Sequence, residues 1–399
     1  MGSPANRSGP LAGLRVIDLT GMVMGPYCTQ IMADMGADVI KVEPPEGDTT
    51  RYISVAPAHG MSGVFANVNR GKRSVVLDLR SEAGKLALRA LVKDADVFIH
   101  SMRWKAIAKL GFGYQDVAAI NPAIVYANCY GYSRRGPDGD LPAYDDTIQA
   151  ECGLPVVQQM LTGEASYVGS IVADKITGLT VLYATVMALF HRERTGEGQE
   201  VEVGMFETMA SFMLVEHANG ALFSPPLGPA HYPRTVAPNR RPYRTRDGYI
   251  SALIYNDKQW ALFVDAVRPP WAGEELASVE QRAPRIDEVY GLLAGTFAER
   301  STQEWLELFR KLGIPAAPLR TPDELFVHPH LRAIGFFETV DSPFGPMRFP
   351  GAPTWFSRTP GRIAGPPPTL GADTEEVLEE LGLPAQATHA AAARGGSGG

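Results

Sequence analysis

Val172-Ala-Asp174-Lys-Ile-Thr-Gly178 sets a carboxylate at the head of a long apolar run, where it could cap a helix or do covalent chemistry. Asp174 falls where a helix should begin, facing the first free N–H groups and the positive end of the helix dipole. A carboxylate held there stays charged and can attack an electrophile. The same position also reads as an ordinary N-cap that only ties off the helix. Other reactive sets are weaker. Cys28, Cys129 and Cys152 have no metal-like spacing and sit in apolar or mixed runs, as reduced core thiols do. The turn Thr20-Gly-Met-Val-Met-Gly25-Pro26 lacks the G-x-G-x-x-G spacing that brings a dinucleotide pyrophosphate onto the backbone, which argues against a nicotinamide or flavin enzyme.

The elements that must position Asp174 follow from periodicity. From Ile176 to Phe190 there is almost no polar face, which predicts a helix buried on most sides and too short to span a bilayer. It should stop at Arg192-Glu-Arg194-Thr-Gly196, and a strand follows at 200–203. Upstream, strands are expected at 14–19, 37–43, 74–79, 96–99 and 124–128. A helix opened by Gly25-Pro26 runs to Met35, and another is capped by Ser81 with Leu86, Ala90 and Leu91 on one face. This β-α alternation predicts a doubly wound, Rossmann-like α/β domain whose ligands lie beyond the carboxyl ends of the strands. The loop 44–70 is long enough to serve function.

A chain of 399 residues is long enough for two domains. The large domain is expected over 10–205, a proline-rich linker over 206–242 and a small α+β domain over 243–330. Residues 331–384 would form a return linker and a C-terminal helix completing the large domain, with a disordered tail over 385–399. Within the small domain, Arg246-Asp247-Gly248 signals a hairpin, and Ser301-x-x-Glu304 and Thr321-Pro-Asp-Glu324 are capping boxes. A formal net charge of −7 argues against a general nucleic-acid or acidic-membrane surface. Any anion pocket must therefore be built from a few lysines and arginines. The N-terminus has no apolar leader segment, so a cytoplasmic location is expected.

Several pieces, in order, carry a resemblance to a known family. They are Leu11-Ala-Gly-Leu-Arg-Val-Ile-Asp-Leu19, Met32-Ala-Asp-Met-Gly-Ala-Asp-Val-Ile-Lys-Val-Glu43, Lys72-Arg-Ser-Val-Val-Leu-Asp78 and Tyr130-Gly-Tyr132. Ala173-Asp174, Arg194-Thr-Gly-Glu-Gly-Gln199-Glu-Val-Glu-Val203, Tyr243-Arg-Thr-Arg-Asp-Gly248 and Leu370-Gly-Ala-Asp-Thr374 continue the set. The chain resembles the class III (CaiB/BaiF-type) coenzyme A transferases, which include formyl-CoA and carnitine CoA-transferases and the α-methylacyl-CoA racemases. The resemblance implies an interlocked homodimer whose substrates are an acyl-CoA and a carboxylic acid acceptor, with no resident cofactor and no metal. It makes Asp174 the nucleophile, passing CoA through mixed anhydrides and an aspartyl-CoA thioester.

The racemase branch places a histidine base where this chain has Tyr144. An unperturbed tyrosine, with a pKa of about 10, is a poor base near neutrality, so transfer is favoured over racemisation. A CoA-binding protein without turnover is the remaining alternative. By resemblance, Leu77, Arg80, Lys109, Tyr144 and Met205 are expected to line the CoA site, and Tyr144 and Asp145 to flank the substrate. Two departures stand out: Ser101-Met102 replaces the family's usual Asn-Phe, and Pro44 replaces a frequent arginine. The glycine-rich loop of formyl-CoA transferase has no counterpart, the region reading Val236-Ala-Pro-Asn239-Arg240-Arg241-Pro242. Arg240 or Arg241 is the expected grip for a second carboxylate of a dicarboxylic substrate, since guanidinium pairs bidentately with carboxylate.

Overall fold

The structure is a computed structural model, and it describes residues 8–384. The tail expected over 385–399 lies outside these residues. In chain order the first half runs β1 (Arg15–Leu19), α1 (Met24–Asp34), β2 (Asp38–Glu43), α2 (Gly63–Asn69), β3 (Arg73–Val76), α3 (Glu82–Lys93) and β4 (Val97–His100). There follow α4 (Trp104–Lys109), α5 (Tyr114–Ile120), β5 (Val125–Tyr130), α6 (Asp145–Glu151), α7 (Leu154–Thr162), α8 (Val172–Thr195), β6 (Gln199–Gly204) and α9 (Met205–His217). The described residues divide into one unit of 8–152, 170–211 and 330–384 and a second of 153–169 and 212–329.

The first unit is a six-stranded sheet in the order β3-β2-β1-β4-β5-β6, with every pairing parallel. This is the doubly wound order the β-α alternation predicts. β2 and β4 are buried at every position because helices cover both faces; β4 is apolar up to His100, whereas β2 also buries Asp38, Lys41 and Glu43. One core layer joins Ile17, Ile40 and Phe98 to Leu88, Leu91 and Val92 of α3. Ser81 caps α3 as expected, accepting from the Gly84 N–H at 3.0 Å. Its buried face is Ala87, Leu88, Leu91 and Val92, however, and Leu86 is 55% exposed. The expected face was rotated because Leu86 sits on the solvent side of the stripe that Leu88 and Leu91 define.

The helix after Asp174 also departs from expectation. Thr177, Gly178, Val181, Thr185, Ala188 and Leu189 form its buried stripe, with the i, i+3/i+4 spacing of one face. Gly178 permits close packing on α1, since a Cβ there would lie 2.6 Å from the Met24 carbonyl oxygen. The opposite stripe, Leu179, Tyr183, Val186, Met187 and Phe190, is apolar yet exposed. Composition alone could not distinguish a face packed within the chain from an apolar face left open. At 24 residues, α8 is also long and apolar enough to cross a bilayer by those measures. Length therefore does not exclude a span, and the packing of Gly178 on α1 is what marks a core helix. Its C-terminus matches expectation: Gly196 is left-handed at φ 78° and its N–H reaches the Arg192 carbonyl at 2.7 Å.

Two further strands, β10 (Phe337–Ser342) and β11 (Gly345–Pro350), pair antiparallel, and the helix α16 (Thr374–Glu380) packs Val377 and Leu378 into the sheet core. In the second unit, β7 (Tyr243–Arg244), β8 (Tyr249–Ala252) and β9 (Ala316–Pro318) form an antiparallel sheet. The helices α10 (Asp257–Val267), α12 (Ile286–Phe297) and α13 (Thr302–Leu312) pack Trp260, Phe263, Phe297, Trp305 and Phe309 into its core, with the short α11 (Val279–Arg282) between α10 and α12 in the chain. The short helices α14 (Pro322–Leu325) and α15 (Pro329–Ala333) follow. Both capping boxes form as expected. Residues 206–217, assigned to a linker from sequence, are helical in α9, and the prolines that suggested a linker begin only at Pro225.

Candidate active site

α8 begins at Val172, so Ile171 is its N-cap and Asp174 is the third residue of its first turn. Asp174 is therefore not the N-cap expected from sequence. Its own N–H is taken by the carboxylate of another helix start: Asp145 Oδ1 accepts it at 3.0 Å. Asp145 is the first residue of α6 and is 6% exposed. Its other oxygen accepts from Gln149 Nε2 at 2.5 Å, and that amide also donates to the Ser170 carbonyl at 3.3 Å. A buried carboxylate thus ties the starts of α6 and α8 together.

The Asp174 carboxylate faces the start of α1, where the Met24 backbone N–H favours its charged form. Burial pushes its pKa up, the nearby Asp145 charge pushes it further, and the Met24 N–H pulls it back only in part, leaving it at about 6. The sequence reading expected the helix terminus to dominate and hold the group low. Desolvation and a neighbouring like charge outweigh that end effect. At pH 7 the group is still ionised by roughly ten to one, and it is more basic than a solvated carboxylate.

The loop that brings Met24 to Asp174 is held under backbone strain. Met22 adopts φ 63°, a left-handed conformation unusual for a residue with a side chain. Its N–H reaches Asp48 Oδ1 at 3.4 Å, and the Gly21 N–H donates to Ser101 Oγ at 3.0 Å. Ser101, one of the departures noted from sequence, is thus a brace for this loop. Asp48 is itself held by Lys41, whose Nζ lies 2.9 Å from Asp48 Oδ2 and 2.8 Å from the Thr20 carbonyl. Below them, Lys72 Nζ contacts Asp18 Oδ2 at 3.0 Å, Thr29 Oγ1 at 2.7 Å, Asn69 Oδ1 at 2.8 Å and the Pro26 carbonyl at 3.1 Å. Sequence reasoning missed this ionic lattice. Its only trace was charged residues inside otherwise apolar strands, Asp18 in β1 and Lys41 in β2.

The same loop forms one wall of a cavity of about 480 Å³ beyond the carboxyl ends of β1, β2 and β3. Thr20, Gly21 and Met22 line it, with residues 41–49, 77–80, Met102 and Leu110. Of the residues expected at a CoA site, Leu77 lies in this wall and is 1% exposed, and Arg80 stands at it with a 73% exposed side chain paired to Asp78 at 2.9 Å. Lys109 is exposed at the end of α4, and its neighbour Leu110 is the lining residue. Tyr144 is the N-cap of α6 and is 65% exposed. Met205 is 3% exposed and lines neither this cavity nor the larger one against α1 and α8. Arg240 and Arg241 belong to the second unit, on an exposed turn.

Replacing Asp145 by Asn tests the electrostatic arrangement. Removing its charge lowers the Asp174 pKa, so the acid limb of the kcat/KM profile should move to lower pH while the amide oxygen still accepts the Asp174 N–H. An unmoved acid limb in Asp145→Asn would show that Asp145 does not set the ionisation of Asp174.

An open parallel sheet with a cavity at its carboxyl edge, and a half-buried carboxylate of raised pKa at the far end of the same β1–α1 loop, are the features of an α/β enzyme site. Residues 11–374 match CoA-transferase family III, and the chain belongs to that family as a CoA-transferase. It is 32% identical to the succinate–glutarate CoA-transferase of Agrobacterium fabrum, over 94% of this chain and 96% of that protein. It is 30% identical to the succinyl-CoA:mesaconate CoA-transferase of Haloarcula hispanica, over 94% and 97% respectively. A solved CaiB/BaiF family protein from Brucella suis matches the fold with a TM-score of 0.78 at 30% identity, covering 94% of this chain and all of that one (100%).

Proposed function

We propose that this enzyme moves CoA from an acyl-CoA to a carboxylic acid, with Asp174 as the covalent nucleophile. One observation carries the reading: the loop 20–24 walls the cavity with Thr20, Gly21 and Met22 and then presents the Met24 N–H to Asp174. The Asp174 carboxylate attacks the thioester carbonyl, and the C–S bond breaks to give a mixed anhydride and CoA thiolate. The thiolate attacks Asp174 Cγ and expels the donor as its carboxylate, leaving an aspartyl-CoA thioester. The acceptor carboxylate attacks Cγ in turn and releases the thiolate, which then attacks the acceptor's acyl carbon and frees Asp174. No oxidant or proton donor is consumed, so the enzyme needs no resident cofactor or metal; CoA arrives as substrate.

In this reading Leu77 and Arg80 bound the CoA nucleotide, with Lys109, Tyr144 and Met205 assigned to the same ligand by resemblance. Asp145 tunes the nucleophile. Arg240 and Arg241 grip the far carboxylate of a short dicarboxylic acid, a class supported by the names of the succinate–glutarate and mesaconate relatives. The apolar stripe Leu179, Tyr183, Met187 and Phe190 supports a homodimer that covers it. Free thiols, two of them buried, support a reducing, cytoplasmic setting. Incubation with succinyl-CoA followed by hydroxylamine should give a hydroxamate at Asp174 by peptide mass spectrometry. No modification at Asp174, together with no CoA exchange across a panel of acids, would sink the mechanism.

A further inference from the structure

The second unit contains a cationic pocket joined to an aromatic pit. Arg234, Arg240 and Arg241 line a cavity of about 290 Å³ with Tyr243, Ser251 and Tyr290, and no acidic residue lines it. Among the described residues none of these three guanidinium groups has a carboxylate partner. Arg240 and Arg241 reach only the carbonyls of Thr235 and Pro238, at 3.5 Å and 3.0 Å. Arg234 lies over the Tyr255 ring at 5.7 Å. The loop that carries them is fixed. The Asn239 N–H donates to Asp287 Oδ1 at 2.7 Å, its amide donates to Asp287 Oδ2 at 3.1 Å, and Ala237 is buried in the core.

Arg234, Tyr243, Ala252, Leu253 and Tyr290 also wall a second cavity of about 230 Å³, whose remaining lining includes Trp260, Val289 and Leu293. Here the one further arginine, Arg282, is already paired with Asp257 at 2.8 Å. The two spaces therefore share a wall, one end cationic and the other apolar. Three like charges on a fixed loop repel one another, and an anion among them relieves that repulsion. The adjoining apolar space adds affinity only for a ligand with a body to bury.

We propose that this pocket binds an organic carboxylate with a compact apolar or aromatic body. Its carboxylate sits among Arg234, Arg240 and Arg241, and its body enters the pit between Tyr243, Trp260 and Tyr290. The inference goes beyond the dicarboxylic assignment of Arg240 and Arg241: the carboxylate held among the three arginines is not the one that reacts at Asp174, and binding is measurable without turnover.

Titration calorimetry on the full chain, without CoA, tests it with 3-phenylpropionate, its uncharged amide, propionate and inorganic phosphate. The aryl acid should bind at least about tenfold more tightly than each of the other three. Arg234→Ala and the double variant Arg240→Ala/Arg241→Ala should each weaken it about tenfold or more, with unchanged melting temperature. Arg234→Lys should recover part of the loss. Equal binding of the amide, equal binding of phosphate, unchanged affinity in the arginine variants, or no binding of the aryl acid would each overturn the proposal. A hydroxamate at Asp174 with no binding here would leave the transferase mechanism standing and overturn this proposal alone. Binding here with no chemistry at Asp174 would do the reverse.

Discussion

Asp174→Asn should lower CoA transfer at least about a thousandfold, because the amide cannot form the anhydride and the remaining groups can only bind substrate. The same substitution should stabilise the fold at neutral pH. The folded pKa of about 6 lies above the ordinary 3.8, so ionised Asp174 disfavours folding wherever it is charged. The cost is fully present above about pH 6 and disappears as pH falls below about 4. Asn removes it, and chemical denaturation at pH 7.5 should show a gain on the order of 1–3 kcal/mol that vanishes near pH 4. Loss of activity with equal loss of stability would instead mark Asp174 as structural. A stability gain with activity retained would remove it from the chemistry.

The second large effect is expected at Lys72, which lines none of the cavities described above. Lys72→Met strips the nearest cation from Asp18 and leaves Thr29, Asn69 and the Pro26 carbonyl without their shared donor. Both side chains of the pair are fully buried. Breaking such a pair from one side should cost about 3–5 kcal/mol. Burial pushes the Asp18 pKa up, but Lys72, Lys41 and two hydroxyls outweigh it and hold the group at about 2. A carboxyl with a depressed folded pKa contributes stability that is present above its unfolded value and lost as pH falls through the folded one. The gap between wild type and Lys72→Met should therefore be widest above about pH 5 and narrow toward pH 2. Asp18→Asn/Lys72→Met should recover part of the loss, since no uncompensated charge remains. A deficit under about 1 kcal/mol in the single variant would mean that water or rearrangement already compensates Asp18.

The two effects are linked through the loop between β1 and α1. Lys72 binds the Pro26 carbonyl, Lys41 binds the Thr20 carbonyl, and between them Met22 is held left-handed while Met24 meets Asp174. The lattice is thus more than internal ballast. It fixes the backbone that borders both the cavity and the nucleophile, as a strained functional loop requires.

Much of this was legible in the chain alone. Alternating apolar runs and glycine or proline punctuation determined the doubly wound sheet, because period and turn chemistry are local properties. The capping boxes at Ser301 and Thr321 and the hairpin at Arg246-Asp247-Gly248 formed for the same reason. The motif order determined the family, and the resemblance it carries, rather than the helix start by itself, made Asp174 the expected nucleophile. Tertiary structure decided the rest. It set the helix start at Val172, and by burying Asp174 and bringing Asp145 beside it raised a pKa that the helix end and the Met24 N–H would have lowered. It also decided that one face of α8 is open and that Arg234 joins Arg240 and Arg241. Burial and the proximity of charges depend on residues far apart in the chain, and no local pattern encodes them.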